Sequence, residues 1–285
     1  SQNNMQSTDQ TISTTASTFV VAGTNSFQRF DHQIGGHEKI LSMGDGSVIA
    51  KPCNTIERDF YENSVLHPEF AQWMPRYLGS LQLKGVQSHL DTIATNVIDS
   101  AKTYVEGGGN DTVIREQNAM DIKHAICIEN VIWKFKKPCI MDLKLGFVLY
   151  GPEADEAKRQ RMIKKAESST SGTVGLRIAA MKLYEKSKND FTIIPRTYGY
   201  ALTKDTMLSG FTKYFDALQD SPPHNHKRVI IKRFLDDLQE FRKVLEKQEL
   251  RLHSASLLFV YEGDEKALTD ALELEKQDFD GKKSN

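Results

Sequence analysis

The sequence predicts a protein of mixed α and β structure, large enough at 285 residues for one large domain or two lobes. Three stretches carry that reading. Apolar runs flank Asp45-Gly46, the strongest short-range signal for a β-hairpin. Midway, the apolar strand Ala125-Ile126-Cys127-Ile128 runs into Glu129-Asn130, which is where a two-lobed chain would place a hinge. Later, Ile230, Phe234, Leu238, Phe241 and Leu245 recur every three or four residues, the pattern of a long amphipathic helix over about 226–250.

The elements follow in order. Residues 1–26 open with a stretch rich in Ser, Thr, Gln and Asn, too polar to fold alone, and read as a disordered tail. Lys39 to Met43 and Ser47 to Pro52 form the hairpin, joined by Asp45-Gly46 as a two-residue turn. Glu57 to Leu66 reads as a helix that buries Phe60 and Tyr61, and Tyr77 to Leu83 as a strand. Residues 91–121, with Gly107-Gly108-Gly109 among them, form an irregular insertion expected to be mobile. Beyond the hinge come a strand over Pro138 to Gly146 and a basic helix from Asp155 to about Lys165, broken by Ser168 to Thr173. Leu176 to Tyr184 and Phe191 to Tyr200 read as strands, Thr203 to Phe215 as a helix, and Leu257 to Tyr261 as a last strand before a charged, tapering tail.

Composition narrows the function classes. The chain is 39% apolar and 26% charged with a net charge of −1, so no global field attracts nucleic acid or a membrane surface. Direct nucleic-acid binding is not expected, and no apolar run approaches the roughly 20 residues of a membrane span. Cys53, Cys127 and Cys139 lack metal-ligand spacing and read as reduced thiols of an intracellular protein, nuclear or cytoplasmic.

Four constellations bear chemistry. In Pro138-Cys139-Ile140-Met141-Asp142-Leu143-Lys144-Leu145-Gly146, an extended segment points Asp142 and Lys144 to one side, a base beside a cation. Spacing alone favours an incidental surface ion pair. Lys51 ends the hairpin strand, where an ammonium either holds nucleotide phosphates or is simply solvated. Lys158, Arg161 and Lys165 share a helix face with Arg159 and Lys164 alongside; charge alone favours a solvated basic face, or one that binds RNA or acidic lipid, over a polyphosphate site. Ser254 and Ser256 at a strand mouth either approach a metal-bound water or cap their own backbone.

Together these residues resemble the inositol polyphosphate kinase family. Its signature Pro-x-x-x-Asp-x-Lys-x-Gly is matched by Pro138, Asp142, Lys144 and Gly146. A second signature appears as Ser254-Ala255-Ser256-Leu257-Leu258-Phe259-Val260-Tyr261-Glu262-Gly263. His32-Gln33-Ile34-Gly35-Gly36-His37, Glu57-x-x-Phe60-Tyr61, Trp73-Met74-Pro75-x-Tyr77-Leu78-Gly79 and Tyr198-Gly199 are also similar, over about residues 27 to 265. Within the family the chain looks most like the multikinases, fungal ones in particular. About 28 residues separate Gly146 from Gly175, a small substrate cap that favours broad specificity.

The resemblance implies a kinase-like two-lobed α+β fold. It has an antiparallel-sheet N-lobe over 27–137, with a hinge at 129–131, and a mixed C-lobe over 138–285 with its substrate helix at 155–165. ATP would lie between the lobes, with Mg2+ as metal. Lys51 would contact the phosphates with Glu57 orienting it, and the backbone of Glu129 and Val131 would hold adenine. Asp142 would meet the reactive hydroxyl or the ribose and act as base, and Lys144 would neutralise the transferred phosphoryl group or substrate phosphates. Lys158, Arg161 and Lys165 would bind substrate phosphates, joined by Lys182 and Arg196, and Ser256 would lie beside the metal. The implied activity is phosphorylation of inositol 1,4,5-trisphosphate and tetrakisphosphate toward pentakisphosphate. The other readings are a hexakisphosphate kinase, a trisphosphate 3-kinase, or a non-catalytic scaffold that binds inositol phosphates. Two departures stand out. The family's Ile-Asp-Phe signature, whose Asp is the principal metal ligand, is not found in these residues, and Gln277-Asp278-Phe279-Asp280-Gly281 reads as the start of a loop before it. Tyr200 stands where relatives often carry Arg, which is expected to alter contacts with substrate phosphates.

Overall fold

The computed structural model describes residues 27–29, 40–82, 124–218, 225–253 and 255–283. The polar tail, the His32–His37 stretch, the insertion at 91–121 and Ser254 lie outside them. Two antiparallel sheets with flanking helices make the protein α+β, and the chain divides into two compact units.

The first unit is built on a sheet of β1 (Phe27–Arg29), β2 (Leu41–Met43), β3 (Val48–Cys53), β4 (Tyr77–Gln82) and β5 (His124–Glu129), in the order β1-β2-β3-β5-β4. Between β2 and β3 the last pair is Met43 with Val48, so the connection has four residues rather than the two expected. Its polar groups are used locally: Gly46 N–H donates to Met43 O at 3.0 Å and Ser47 N–H to Asp45 Oδ1 at 2.9 Å. Period-two alternation gives β5 two apolar faces. Ala125 and Cys127 pack with Ala50 and Leu81, while Ile126 and Ile128 pack with Cys53 and Tyr61. Helix α1 (Thr55–Asn63) is capped by Asn54, whose Oδ1 accepts from Glu57 N at 2.8 Å. It is shorter than predicted and passes into a 3-10 turn at Ser64–Leu66, because Pro68 disfavours helical backbone at the residue before it. Phe60 and Tyr61 are half-buried rather than buried, though burial still pushes the Tyr61 phenol up to about 12.

The second unit holds α2 (Pro68–Ala71) and everything from Asn130 onward; the division after β5 falls between Glu129 and Asn130. Residues 68–74 join it because Phe70 and Trp73 lie 6.0 and 5.4 Å from the Phe241 ring. Its sheet runs β8-β7-β6-β9, with β6 (Pro138–Leu145) central between β7 (Leu176–Glu185) and β9 (Ser256–Glu262), and β8 (Asp190–Ile194) at the edge. Ahead of β7 come α3 (Glu156–Glu167) and α4 (Thr170–Val174). After β8 follow α5 (Arg196–Ala201), α6 (Met207–Phe215) and α7 (His226–Glu246), and α8 (Glu265–Lys283) follows β9.

Cys139, Met141 and Leu143 turn one face of β6 into a core shared with Ile178, Met181, Tyr214, Phe259 and Tyr261. Each fully buried apolar side chain there contributes about 1.5–3 kcal/mol. The Tyr214 hydroxyl lies 3.1 Å from Cys139 O and 2.9 Å from Phe259 O, and Tyr261 donates to Tyr214 O at 2.7 Å, so the core phenols are satisfied by backbone. Glu262 accepts from the backbone N–H groups of Lys136, Lys137 and Asp264 at 2.6–2.8 Å and so fixes the approach to β6.

Several expected elements differ. The strand expected to reach Tyr200 stops at Ile194, because Pro195 offers no N–H to a ladder and instead caps α5. Arg196 is therefore helical. The expected break at 168–173 contains the short helix α4, opened by Ser169, whose hydroxyl accepts from Ser171 N. The helix placed from Thr203 begins at Met207, since Thr203 and Thr206 exchange side-chain bonds with each other's backbone. Residues 277–281, read as a loop, continue α8. That helix is started by Asp264 Oδ1 accepting from Ala267 N at 2.9 Å and is held to the core by Leu268 and Leu272.

Candidate active site

Pro138 opens β6, a strand position that tolerates its missing N–H, and Gly146 closes it at φ 106°, backbone that side-chain-bearing residues rarely adopt. The Gly146 N–H then donates to Gly175 O at 2.8 Å. Between these ends the core takes Cys139, Met141 and Leu143, which leaves Asp142 and Lys144 together on the opposite face. Lys144 Nζ stands 2.9 Å from Asp142 Oδ2 and donates to Ser256 Oγ at 2.7 Å, its partner in register on β9. The second Asp142 oxygen, Oδ1, is buried and accepts no hydrogen bond. A buried, unpaired carboxylate oxygen is costly unless something absent from the protein uses it.

On the other side Lys144 is paired with Arg177 of β7. A bulge between Asp142 and Leu143 sets Ala180 opposite Asp142 but Ile178 opposite Leu143, so β7 carries one extra residue there. Paired residues share a sheet face, and the extra residue brings Arg177 onto the Asp142 face. Arg177 is only 5% exposed, its Nε has no partner, and no carboxylate among the described residues pairs with it. Its guanidinium carbon lies 4.7 Å from the centre of the Tyr200 ring. Lys165, half-buried near the end of α3, completes the group: burial, then Arg177, Arg196 and Lys144, push its ammonium below the usual 10.5. Lys144 beside Asp142, Arg177 opposite Lys144, and Lys165 within the field of Lys144, Arg177 and Arg196 together form a cationic region suited to a polyanion.

Arg177 escaped the sequence reading. Plain alternation sets it on the opposite face from Lys182, five residues away, and only the bulge reverses that. Lys182 is brought not to Lys144 but opposite Ile140, where it is buried with Nζ 4.4 Å from the Phe191 ring centre. Lys158 and Arg161 lie exposed on α3, whose N-cap Asp155 accepts from Lys158 N at 2.6 Å. In the first unit Lys51 stands on the Ile126 face of β3 and pairs with Glu57, which the Asn54 cap places in the first turn of α1. Glu129 exchanges two bonds with Arg76, accepting from its N–H at 3.3 Å and donating its own N–H to Arg76 O at 2.9 Å. In the second unit Val131 is exposed in the turn that Asn130 closes by accepting from Ile132 N.

The sequence model of a family described as "Inositol polyphosphate kinase" matches residues 125–282, more than half of the chain and the whole of the Asp142–Lys144–Arg177–Ser256 arrangement. The chain belongs to the inositol polyphosphate kinase family. Among curated relatives of this kinase, the inositol polyphosphate multikinase of Saccharomyces cerevisiae is 29% identical over 90% of this chain and 79% of its own. The Schizosaccharomyces pombe inositol polyphosphate multikinase is 27% identical over 82% and 78%. Among solved structures, the S. cerevisiae inositol phosphate multikinase Ipk2 in complex with ADP and Mn2+ aligns with a TM-score of 0.60 and 28% identity over 80% of each chain. The kinase-like α+β fold and the enzyme class follow for this kinase; what those relatives bind is theirs.

Proposed function

We propose that this kinase is an ATP-dependent inositol polyphosphate multikinase, acting on inositol 1,4,5-trisphosphate and the tetrakisphosphate and carrying them toward the pentakisphosphate. The observation that supports it most is the buried Arg177, which has no carboxylate partner among the described residues, opposite Lys144 and within the field that Lys144 and Arg196 also exert on Lys165, together with the Asp142 oxygen that accepts no hydrogen bond among those residues. Taken alone, that charge is expensive to bury, and an inositol ring bearing several phosphates offsets the cost with charge-assisted bonds. Arg196, Lys165 and Arg177 bind phosphates, and Lys158 and Arg161, exposed on the same helix as Lys165, extend the field to a more highly phosphorylated ring. Lys182, set apart by the register, is a weaker member of the set.

Phosphoryl transfer depends on positioning and on neutralising charge as it develops. Asp142 Oδ1 accepts the proton of the attacking ring hydroxyl, and the Lys144 ammonium, 2.9 Å from the other oxygen, holds the carboxylate in place. Lys144 also faces the phosphoryl group in transit. For the nucleotide, Lys51 with Glu57 takes phosphates and the backbone of Glu129 and Val131 takes adenine. A divalent metal, Mg2+ in this proposal, is commonly held through one or two carboxylates with substrate phosphates supplying other ligands. Ser256, which accepts from Lys144 Nζ at 2.7 Å, would lie beside that metal, with phosphate oxygens as its main ligands. When bound, the metal supplies charge neutralisation between the phosphates. Cys53, Cys127 and Cys139 are buried with no disulfide among the described residues, which supports a reducing compartment, nuclear or cytoplasmic.

The test is to incubate the protein with ATP, Mg2+ and inositol 1,4,5-trisphosphate and to resolve products by anion-exchange chromatography. Sequential tetrakis- and pentakisphosphate products are expected. A single tetrakisphosphate isomer, or pyrophosphates made only from the hexakisphosphate, would replace the multikinase reading with a narrower one. Binding without product would make the chain a scaffold.

A further inference from the structure

Arg177 is a charge with almost no exposure and, among the described residues, no acidic partner, and what it does have is an aromatic face. The Tyr200 ring lies 4.7 Å from the guanidinium carbon. A carboxylate in that place would occupy two of the five guanidinium donors. A ring face accepts none of them in that way, so orientation is supplied while the donors stay available to an anion.

Tyr200 is itself held firmly. It stands four residues after Arg196, so both lie on one side of α5. The helix is pressed onto β7 at Gly199, where an added Cβ would come within 1.8 Å of Ile178 O, the carbonyl next to Arg177 in the chain. Space for this approach exists because β8 leaves β7 at the Ile194–Met181 pair, and α5 takes up the open side beyond it.

We propose that Tyr200 is a positioning residue that sets affinity for inositol phosphates through Arg177, by fixing the guanidinium plane so that its donors meet a substrate phosphate. This rests on the reading of the cation cluster as the inositol phosphate site. Losing a desolvated cation–π contact of this kind corresponds to between about threefold and thirtyfold in binding.

The experiment measures equilibrium binding of inositol 1,4,5-trisphosphate, together with KM and kcat, for the full chain carrying Tyr200→Leu, Tyr200→Phe, Arg177→Leu or the Tyr200→Leu/Arg177→Leu pair. The expected result is a Kd and KM for the inositol phosphate raised between about threefold and thirtyfold in Tyr200→Leu, with KM for ATP unchanged. Tyr200→Phe keeps wild-type values, because it keeps the ring. In the Arg177→Leu background, Tyr200→Leu adds no further loss. Wild-type affinity in Tyr200→Leu, or a loss just as large without Arg177, overturns the positioning role while leaving the inositol phosphate site standing. Loss of affinity in Tyr200→Phe overturns it as well, since the hydroxyl would then be the active group. Wild-type protein that binds no inositol phosphate overturns both.

Discussion

Lys144→Ala separates catalysis from folding more cleanly than any other change in this protein. The side chain is 37% exposed and its partner Asp142 13% exposed, so the 2.9 Å ion pair is neither free in water nor sealed in the core. Such a pair contributes about 0–1 kcal/mol to stability. In a protein of this size that is a fall in Tm of no more than about 4 °C. Catalysis is affected on another scale. A positioned charge that meets developing negative charge is worth about 2.7–4 kcal/mol, so kcat should fall by about 10²–10³. The Ser256 hydroxyl, 2.7 Å from Nζ, has no charge to replace it. The measurement is kcat at saturating ATP, Mg2+ and inositol 1,4,5-trisphosphate beside a thermal melt of the same preparation. A variant that keeps kcat within about fivefold of wild type would show that Lys144 does not meet the transferred group. A melt lowered by more than about 10 °C would show the pair to be a folding element instead.

Three further changes test the surrounding structure. Asp142→Asn keeps a hydrogen-bond acceptor for Lys144 but removes the base, so kcat should fall by about 10²–10⁴ with nearly unchanged inositol phosphate affinity, as steady-state kinetics and direct binding will show. Burial and the neighbouring Arg177, Arg196 and Lys144 depress the Lys165 pKa, so the unfolded chain binds that proton more tightly than the folded one. The penalty is present at neutral pH and is relieved as pH rises through the lowered value toward 10.5; Lys165→Gln should therefore raise the Tm of the free protein at pH 7 and shrink the Tm gain on adding inositol phosphate, both read by thermal melts. Gly199→Ala forces a Cβ to within 1.8 Å of Ile178 O, so α5 must lift from β7 at a cost of about 1–3 kcal/mol, lowering the Tm and weakening inositol phosphate binding through Arg196 and Tyr200.

What could be read from the sequence was whatever a local rule governs. Strands β3, β5 and β6 follow from apolar runs and their breakers, and Asp142 and Lys144 share a face simply because they are two apart. The three- and four-residue spacing of Lys158, Arg161 and Lys165 places them along one helix without any tertiary information, and the structure adds Asp155 as its cap. What stayed hidden depended on contacts between distant segments. Residues 68–74 join the second unit because Phe70 and Trp73 find Phe241, far along the chain. The charged tail becomes α8 because Leu268 and Leu272 reach a core formed by strands. Pro195 carried its own warning, since a residue without an N–H is a poor continuation for a strand, and Arg196 follows it into helix.

The bulge in β7 shows most clearly why a site can be half-visible. Without the extra residue opposite the Asp142–Leu143 step, Arg177 would face Leu143, Met141 and the rest of the core, where a guanidinium has no place. With it, Arg177 joins Lys144 and Ser256 in one row across three strands, and Asp142 stands in the next row. That arrangement is unfavourable in the free protein: Lys165 is pushed toward losing its proton, and Arg177 is buried against the Tyr200 ring with no carboxylate partner among the described residues. Each of these costs has the same sign and is removed by the same thing, a compact ligand with several negative charges. Stability given up in the unliganded state becomes discrimination on binding, since a ligand with one phosphate cannot satisfy Lys144, Lys165, Arg177 and Arg196 together.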